Sequence, residues 1–226
     1  MATRYNYTGN IVTQGLVLNL DAAKTDSYPG TGTTWRDLSG FGNNGTLTNG
    51  PTFSGPGKQA SIVFDGVDDW VGSFANHNTY FNFGLTNSPF SISLFFKLTV
   101  INSNFKVLVV SGGRWDYGLW ISTTNKLLCG TEGQNRVGNT TLSANLIYQG
   151  TLTFNGTTQT LYLNGINDGS FIQGLSNNGS QNLSIGRRVD GFYFPGNIYN
   201  FQIYNRALSV DEVSQNFNAL RGRYGI

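Results

Sequence analysis

The 226-residue chain has little charge, one cysteine and one histidine. Charged residues make up 12% of the sequence, about half the usual share in soluble proteins, so Asn, Thr, Ser and Gln must form most of the polar surface. The formal net charge of +2 gives no reason to expect binding to nucleic acid or to an anionic membrane. The lone Cys129 excludes an intrachain disulfide.

The sequence also lacks recognisable targeting segments. Residues Met1–Tyr7 have no apolar core of the kind found in signal peptides. No apolar run approaches the length that spans a membrane. We therefore expect a protein without a membrane segment that is made in a cytoplasm and, if it acts outside the cell, is released by a route such as lysis.

What the sequence does contain is short alternating runs separated by turn residues. Leu16–Asp21, Phe90–Thr99 and Asn197–Tyr204 are predicted strands. Asn155-Gly156 and Asn164-Gly165 each lie between alternating runs and predict type I′ hairpin turns. Residues 25–57 are rich in Gly, Thr, Asn and Pro and predict a long surface excursion.

A single helix is predicted near the end of the chain, over residues 209–220. Ser209 and Glu212 have the spacing of a capping box. Val213, Phe217 and Leu220 follow at i, i+4 and i+7 and form one apolar stripe. Arg221 and Arg223 come after this stripe, where positive charge suits the C-terminal end of a helix.

Four motifs resemble one known family. They are Asp37-Leu-Ser-Gly-Phe-Gly-Asn-Asn-Gly-Thr46, Phe64-Asp-Gly66, Leu161-Tyr-Leu-Asn-Gly165 and Ile203-Tyr-Asn-Arg-Ala-Leu-Ser209. In this order they resemble the laminin-G-like, concanavalin-A-like lectin and glucanase domain family, of the kind found in bacteriophage virion proteins. Together with the strand pattern, the resemblance implies an all-β fold: a two-sheet antiparallel jelly-roll sandwich with one short C-terminal helix. We expect an N-terminal arm over 1–14, the sandwich over 15–220 and a C-terminal tail over 221–226.

Catalysis is not expected from the carboxylates. Glycoside hydrolysis generally needs two carboxyl groups placed across the scissile bond. The chain contains only two glutamates, Glu132 and Glu212, and the capping box already explains Glu212. His77, the only histidine, supplies neither a metal site nor a catalytic triad. We therefore predict that the protein is not an enzyme.

No cofactor is expected, with calcium as the alternative. Asp65, Asp68 and Asp69 cluster around one predicted turn, and Asp21 is a further candidate ligand for an oxygen-rich calcium site. The resemblance implies an aspartate in the last long strand, where this chain has Tyr199. This departure favours the prediction of no metal, with the aspartates as ordinary turn formers.

The predicted binding residues are aromatic, charged and placed in two loops. The resemblance implies that such lectins stack sugars on exposed aromatic rings beside Asn, Asp and Arg. Residues 113–117 and 187–194 offer this mixture, and the candidates for contact with a glycan or a protein partner are Trp115, Asp116, Tyr117, Arg187, Arg188 and Tyr193. The alternative is that these aromatic residues pack in the core or in an interface.

The predicted function is that of a non-catalytic protein on the virion surface, either a capsid decoration or a tail-associated protein. Its expected partners are other virion proteins in a larger assembly and host-surface polysaccharide, with no nucleic acid and no membrane. A free-standing extracellular glycan-binding lectin is the alternative function, and a relative of the glycosidases is a third.

Overall fold

The computed structural model describes residues 9–74, 77–111, 117–131, 134–175 and 183–226. The strands are β1 (Leu16–Asp21), β2 (Thr34–Trp35), β3 (Gly45–Thr48), β4 (Thr52–Phe53), β5 (Ile62–Asp65), β6 (Trp70–Gly72), β7 (Phe90–Leu98), β8 (Lys106–Ser111), β9 (Tyr117–Ile121), β10 (Lys126–Thr131), β11 (Gln134–Thr141), β12 (Ile147–Phe154), β13 (Thr158–Leu163), β14 (Ile166–Ile172), β15 (Ser184–Ile185), β16 (Arg187–Arg188), β17 (Phe192–Tyr193) and β18 (Pro195–Tyr204). The helices are α1 (His77–Tyr80), α2 (Phe83–Thr86) and α3 (Val210–Tyr224). Within these described ranges, no helix is long and apolar enough to cross a membrane.

Two antiparallel sheets form the sandwich, which confirms the predicted fold class. The first sheet has the order β14-β13-β12-β7-β18-β5-β4, and β1 pairs with β18 beside β5. The second has the order β11-β10-β9-β8-β15-β6-β3-β2. A separate hairpin, β16–β17, follows β15 directly. Strands that are neighbours in a sheet are often far apart in the chain, as in the pairing of β7 with β18.

The inner faces of both sheets meet in one aromatic-rich core. Phe90 of β7 lies 4.7 Å from Tyr117 of β9 and 5.8 Å from Phe154 of β12, measured between ring centroids. All three side chains are fully buried. Cys129 is buried in the same core, as predicted, and burial raises the pKa of its thiol. Such aromatic contacts between the layers add to the free energy gained by burying apolar area.

The motif that begins at Asp37 closes the outer edge of β1. The Asp37 carboxylate accepts the main-chain N–H groups of Asn19, Ser39 and Asn43 over 2.8–3.0 Å. The Asn43 side chain donates to the carbonyl of Val17 over 2.7 Å. An open strand edge is prone to pair with other chains. This motif therefore satisfies the edge of β1 and has a structural role.

Helix α3 covers part of the outer face of the first sheet. Its capping box is present: the Ser209 hydroxyl accepts the Glu212 N–H, and the Glu212 carboxylate accepts the Ser209 N–H. The carboxylate also binds the Arg206 guanidinium. The helix packs Phe217 and Tyr224 against Phe95 of β7. The apolar stripe therefore faces the sheet, as amphipathic periodicity predicts.

The predicted C-terminal tail over 221–226 is wrong for most of its length. Helix α3 continues to Tyr224, whose side chain is buried. Arg223 forms two hydrogen bonds with Asp21 of β1, at 2.7 and 2.9 Å. The arm over 1–14 also docks at its inner end, because the Val12 N–H donates to Asn216 of α3. Residues 1–8 lie outside the described residues.

Two local predictions also need correction. The excursion over 25–57 contributes β2, β3 and β4 to the two sheets and buries Trp35 completely. The turn at Asn164-Gly165 has the two positive φ angles that a type I′ turn requires, at 52° and 77°. At Asn155-Gly156 only the glycine has a positive φ, because the loop is longer and the Asn155 carboxamide accepts the N–H groups of Thr157 and Thr158.

Candidate functional site

The predicted loop residues around Trp115 divide between the core and the part of the chain outside the described residues. Trp115 and Asp116 lie outside the described residues. Tyr117 is fully buried, and its hydroxyl donates to the carbonyl of Phe81 over 2.6 Å. The prediction that Tyr117 contacts a ligand does not fit this position, because its ring fills the space between the two sheets.

Arg187 and Arg188 are both engaged within the protein. The Arg187 guanidinium stacks 3.7 Å above the ring of Trp70. Arg188 is buried, pairs with Asp190 over 2.7 Å and lies 4.3 Å from the ring of Phe192. The two arginines therefore fix the β16–β17 hairpin and orient its aromatic residues.

Tyr193 lines a groove at one end of the sandwich. The groove has a volume of about 350 Å³, and we call it the site groove. It lies between the hairpin, the loop before β8 and the turn after β5, and its lining residues are Gly66, Asn102, Asn104, Phe105, Lys106, Gly191, Phe192, Tyr193 and Pro195. Phe105 and Phe192 meet edge-on, with ring centroids 6.1 Å apart. Phe192 and Tyr193 are half-buried and expose part of each ring to the groove.

The loop before β8 contributes two exposed carboxamides, Asn102 and Asn104, to the lining of the site groove. The Asn102 side-chain oxygen accepts the Asn104 N–H over 3.1 Å. Within the described part of the chain, neither the Asn102 side-chain amino group nor the Asn104 carboxamide forms a hydrogen bond. These groups can donate to a ligand that lies against the aromatic rings.

Lys106 fixes the loop that carries these carboxamides. Its ammonium donates to the carbonyls of Asn102 and Asn104 and to the side-chain oxygen of Asn125, over 3.0–3.2 Å. The residue is 1% exposed, and burial lowers the pKa of the ammonium. Its hydrogen bonds stabilise the charged form against this desolvation. The Lys106 ammonium therefore binds the loop itself and does not point into the groove as a free charge.

The turn between Asp65 and Asp69 forms a third wall. At Gly66 the backbone has a positive φ of 80°, and a Cβ there would lie 2.8 Å from the Cβ of Pro195. Only glycine fits this close contact, which brings the turn against the hairpin. The carboxylate oxygens of Asp65, Asp68 and Asp69 lie within 4.8 Å of one another.

These aspartates serve mainly the turn itself. Asp65 accepts the N–H groups of Val67 and Asp68, and the Val67 bond is the main reason that the pKa of Asp65 is lowered. Asp69 accepts the Asp65 N–H over 2.9 Å. Burial raises the pKa of Asp69, and the nearby charges of Asp65 and Asp68 add to this effect.

A calcium site of the implied kind does not fit this chain. Calcium binds about six to eight oxygens. Tyr199, which stands at the position of the implied aspartate, is buried against Tyr224 and offers no carboxylate. Asp21 is paired with Arg223 and is not part of the aspartate group. Of the two glutamates, Glu212 is bound to Arg206, and Glu132 lies outside the described residues.

Sequence reasoning missed most of the site groove. Asn102, Asn104, Phe105 and Lys106 lie in a polar loop with no periodic pattern, and nothing local indicates that the loop meets residues 191–195. One sequence feature does point to the hairpin: Arg188 and Asp190 are two residues apart. Across a tight turn, opposite charges at this spacing can form an ion pair that fixes the hairpin.

Comparison with known proteins agrees with this architecture. A family model described as the concanavalin A-like lectin/glucanases superfamily matches residues 65–214. The chain belongs to this superfamily. The matched region includes the aspartate turn, the Lys106 loop and the β16–β17 hairpin. No curated protein sequence matches the chain.

Several solved structures share the fold of this superfamily member. A sialidase of Trypanosoma rangeli, in complex with the inhibitor DANA, gives a TM-score of 0.70 at 16% identity over 92% of this chain and 33% of the sialidase. Domain 4 of AbnA, a GH43 extracellular arabinanase from Geobacillus stearothermophilus in complex with arabinotriose, gives 0.67 at 15% identity over 89% of this chain and 97% of the domain. The binding domain of Paraclostridial Mosquitocidal Protein 1 gives a TM-score of 0.66 at 21% identity, over 91% of this chain and 52% of that structure's chain. This chain therefore spans about a third of the sialidase, and the similarity concerns the fold.

Proposed function

We propose that the protein is a non-catalytic glycan-binding module whose ligand lies in the site groove. The observation that carries this proposal is that Tyr193 and Phe192 line one groove together with Asn102 and Asn104. Ligand sites combine apolar and aromatic walls with a few polar groups that fix orientation. A sugar ring matches both parts, since its C–H face packs on an aromatic ring and its hydroxyls accept from carboxamide N–H groups.

The rigidity of the groove supports the same function. Arg188 holds Phe192 through its stacking contact and its pairing with Asp190. Lys106 holds the loop before β8 through three hydrogen bonds. A site whose walls are fixed before binding loses less conformational entropy when the ligand arrives. Rigid walls are useful to a lectin, because each sugar hydroxyl contributes little affinity on its own.

The non-catalytic part of the proposal rests on how the carboxylates are used. Glycosidases place two carboxyl groups on either side of the bond that they cleave. Here Asp65 and Asp69 accept main-chain N–H groups of their own turn. Glu212 caps α3, binds Arg206 and is not among the residues that line the groove. These carboxylates support structure, and we propose binding without hydrolysis.

The relatives agree with a glycan ligand. Domain 4 of the arabinanase AbnA is nearly the same length as this chain and was solved with arabinotriose. Arabinotriose is therefore a rational first probe. The location on a virion surface, with other virion proteins as partners, stays a prediction from the sequence, and so does the alternative of a free-standing lectin.

A glycan array followed by calorimetry tests the proposal. We expect wild-type protein to bind a reproducible set of glycans without releasing reducing sugar from them. Tyr193→Ala should lower the affinity for the best ligand by about tenfold or more. Phe41→Ala is the matched control, because Phe41 is an exposed aromatic residue outside the groove lining. Equal affinities of the two variants, or hydrolysis of the bound glycan, would contradict the proposal.

A further inference from the structure

A second cleft lies beside helix α3, on the outer face of the first sheet. Its volume is about 450 Å³, and we call it the helix cleft. The floor is formed by β1 and β18, one wall by α3 and another by the residues that precede β1. The lining residues are Gly9, Asn10, Ile11, Thr13, Asn19, Asp21, Lys24, Leu38, Asn200, Gln202, Ala219, Leu220 and Arg223. None of them lines the site groove.

The floor of the helix cleft is built from carboxamides. Gln202 of β18 pairs in register with Asn19 of β1, so both side chains lie on the outer face beside each other. Asn200 lies at a β-bulge in the pairing of β18 with β7, and its side-chain oxygen accepts the Phe95 N–H over 3.0 Å. Its amino group is left for other partners.

Gln202 is the decisive residue. It is 2% exposed, yet within the described ranges its carboxamide forms no hydrogen bond with the protein. The Asn19 carboxamide is equally without a protein partner in those ranges. Both side chains line the helix cleft, so these carboxamides can donate to and accept from a molecule that enters it.

The charges in the helix cleft largely cancel. Asp21 and Arg223 bind each other through two hydrogen bonds, and the side chains are only 10% and 15% exposed. The remaining charged lining residue is Lys24, which is solvent-exposed. A charged ligand would find no buried counter-ion that is not already paired, so the cleft favours an uncharged ligand.

The walls supply apolar contacts. Leu38 is 38% exposed at the rim, and Ile11 and Leu220 are partly buried. These side chains and the carboxamide floor give the combination of apolar contact and directional hydrogen bonding that uncharged polyhydroxylated ligands need. The volume falls within the usual range of small-ligand sites, about 300 to 1,000 Å³.

We propose that the helix cleft is a second, independent saccharide site that takes one or two uncharged sugar residues. The carboxamides of Gln202 and Asn19 would donate to and accept from sugar hydroxyls, while Leu38 and Leu220 contact the C–H face. The proposal shares only its ligand class with the site groove. The two sites have no lining residue in common, so either can fail without the other.

Calorimetry of the full chain with uncharged trisaccharides tests the second site. The probes are arabinotriose, cellotriose and maltotriose, and the variants are Gln202→Leu and Tyr193→Ala. We expect Gln202→Leu to weaken binding at the helix cleft by about tenfold, while the Tyr193→Ala variant keeps that binding. The matched control is Gln14→Leu, the same change at an exposed position outside the cleft lining.

NMR signals of the side-chain carboxamides show whether the ligand binds in the helix cleft. The carboxamide signals of Gln202 and Asn19 should shift with at least one probe, also in the Tyr193→Ala variant. Gln202→Leu should keep the wild-type melting temperature, because it removes no hydrogen bond within the described fold. Unshifted carboxamide signals with all three probes, or unchanged binding by Gln202→Leu, would overturn the second site. Loss of all binding in Tyr193→Ala would also overturn it, while leaving the proposed function intact.

Discussion

The Lys106 ammonium donates to the main-chain carbonyl of Asn104 over 3.0 Å from an almost fully buried position. A second bond, to the Asn102 carbonyl, makes the loop close around the charge. A lysine is here an internal support for the wall that presents two carboxamides to the site groove. The proposed binding of a glycan in the groove therefore depends on a residue whose charge faces the loop and not the ligand.

Lys106→Met should impair both stability and binding. The change leaves the Asn102 and Asn104 carbonyls without their donor, which should cost about 1–3 kcal/mol of unfolding free energy. Glycan affinity should fall because the carboxamides lose their fixed position. Urea unfolding and calorimetry measure the two effects. Lys126→Met is the control, since the Lys126 ammonium also bonds a carbonyl, that of Asn139, away from the groove. Similar glycan affinity in both variants would contradict the supporting role.

Glu212 should make stability depend on pH in the acid range. Hydrogen bonds from Arg206 are the main cause that lowers the pKa of Glu212 from 4.5 to about 2. A carboxyl with a lowered folded pKa stabilises the fold above its unfolded pKa and loses that contribution as the pH falls through the folded pKa. The window therefore runs from about pH 4.5 down to about pH 2.

Glu212→Gln isolates this contribution, because Gln can still complete the capping box. The variant should be less stable than wild type at pH 7 by roughly 1–3 kcal/mol, a value reduced for partial exposure to solvent. The difference should shrink as the pH approaches 2. A constant difference between pH 7 and pH 2 in urea unfolding would show that the charge of Glu212 is not its source.

Removing only Arg223 from its pair with Asp21 should destabilise the fold more than replacing both residues. Arg223→Met leaves the Asp21 carboxylate buried without its partner, which typically costs about 3–5 kcal/mol. The double variant Asp21→Asn/Arg223→Met should recover part of this loss, since no charge is then left unpaired. Thermal unfolding of both variants measures the recovery. A double variant that is no more stable than Arg223→Met would contradict this account.

EDTA should leave the thermal midpoint nearly unchanged. Asp65 and Asp69 already accept N–H groups of their turn, and Tyr199 offers no carboxylate. A calcium ion bound well above its dissociation constant would stabilise the fold by about 2–4 kcal/mol. A large drop with EDTA that calcium restores would contradict the prediction, and Asp68→Asn would then be the first variant to examine.

Local sequence patterns are enough to predict the main strands of the sheets, but they do not predict which residues line the site groove. The apolar run from Leu16 predicts β1 as a buried strand, and alternation predicts most of β7 and β18. The Ser209–Glu212 spacing predicted the start of α3, but the end was placed too early because Tyr224 gains its burial from Phe95, a residue far away in the sequence. Trp35 was missed because its neighbours are polar and only the tertiary fold buries it.

The candidate site shows the same division. Tyr193 was predicted from its mixed aromatic and basic neighbourhood, and it does line the site groove. Tyr117 has a similar neighbourhood but lies in the core, so composition alone does not separate a ligand contact from a packing residue. Asn102 and Asn104 gain their position through Lys106 and Asn125, contacts that no local pattern indicates.

The most direct test of glycan binding in the site groove is an NMR titration with the best ligand from the array. The side-chain amide signals of Asn102 and Asn104 and the ring signals of Tyr193 should shift together and saturate at the affinity that calorimetry gives. Nuclear Overhauser contacts should connect the sugar ring protons with the Tyr193 ring. If the ligand binds while these three residues stay unshifted, the glycan lies elsewhere and the proposed site is wrong.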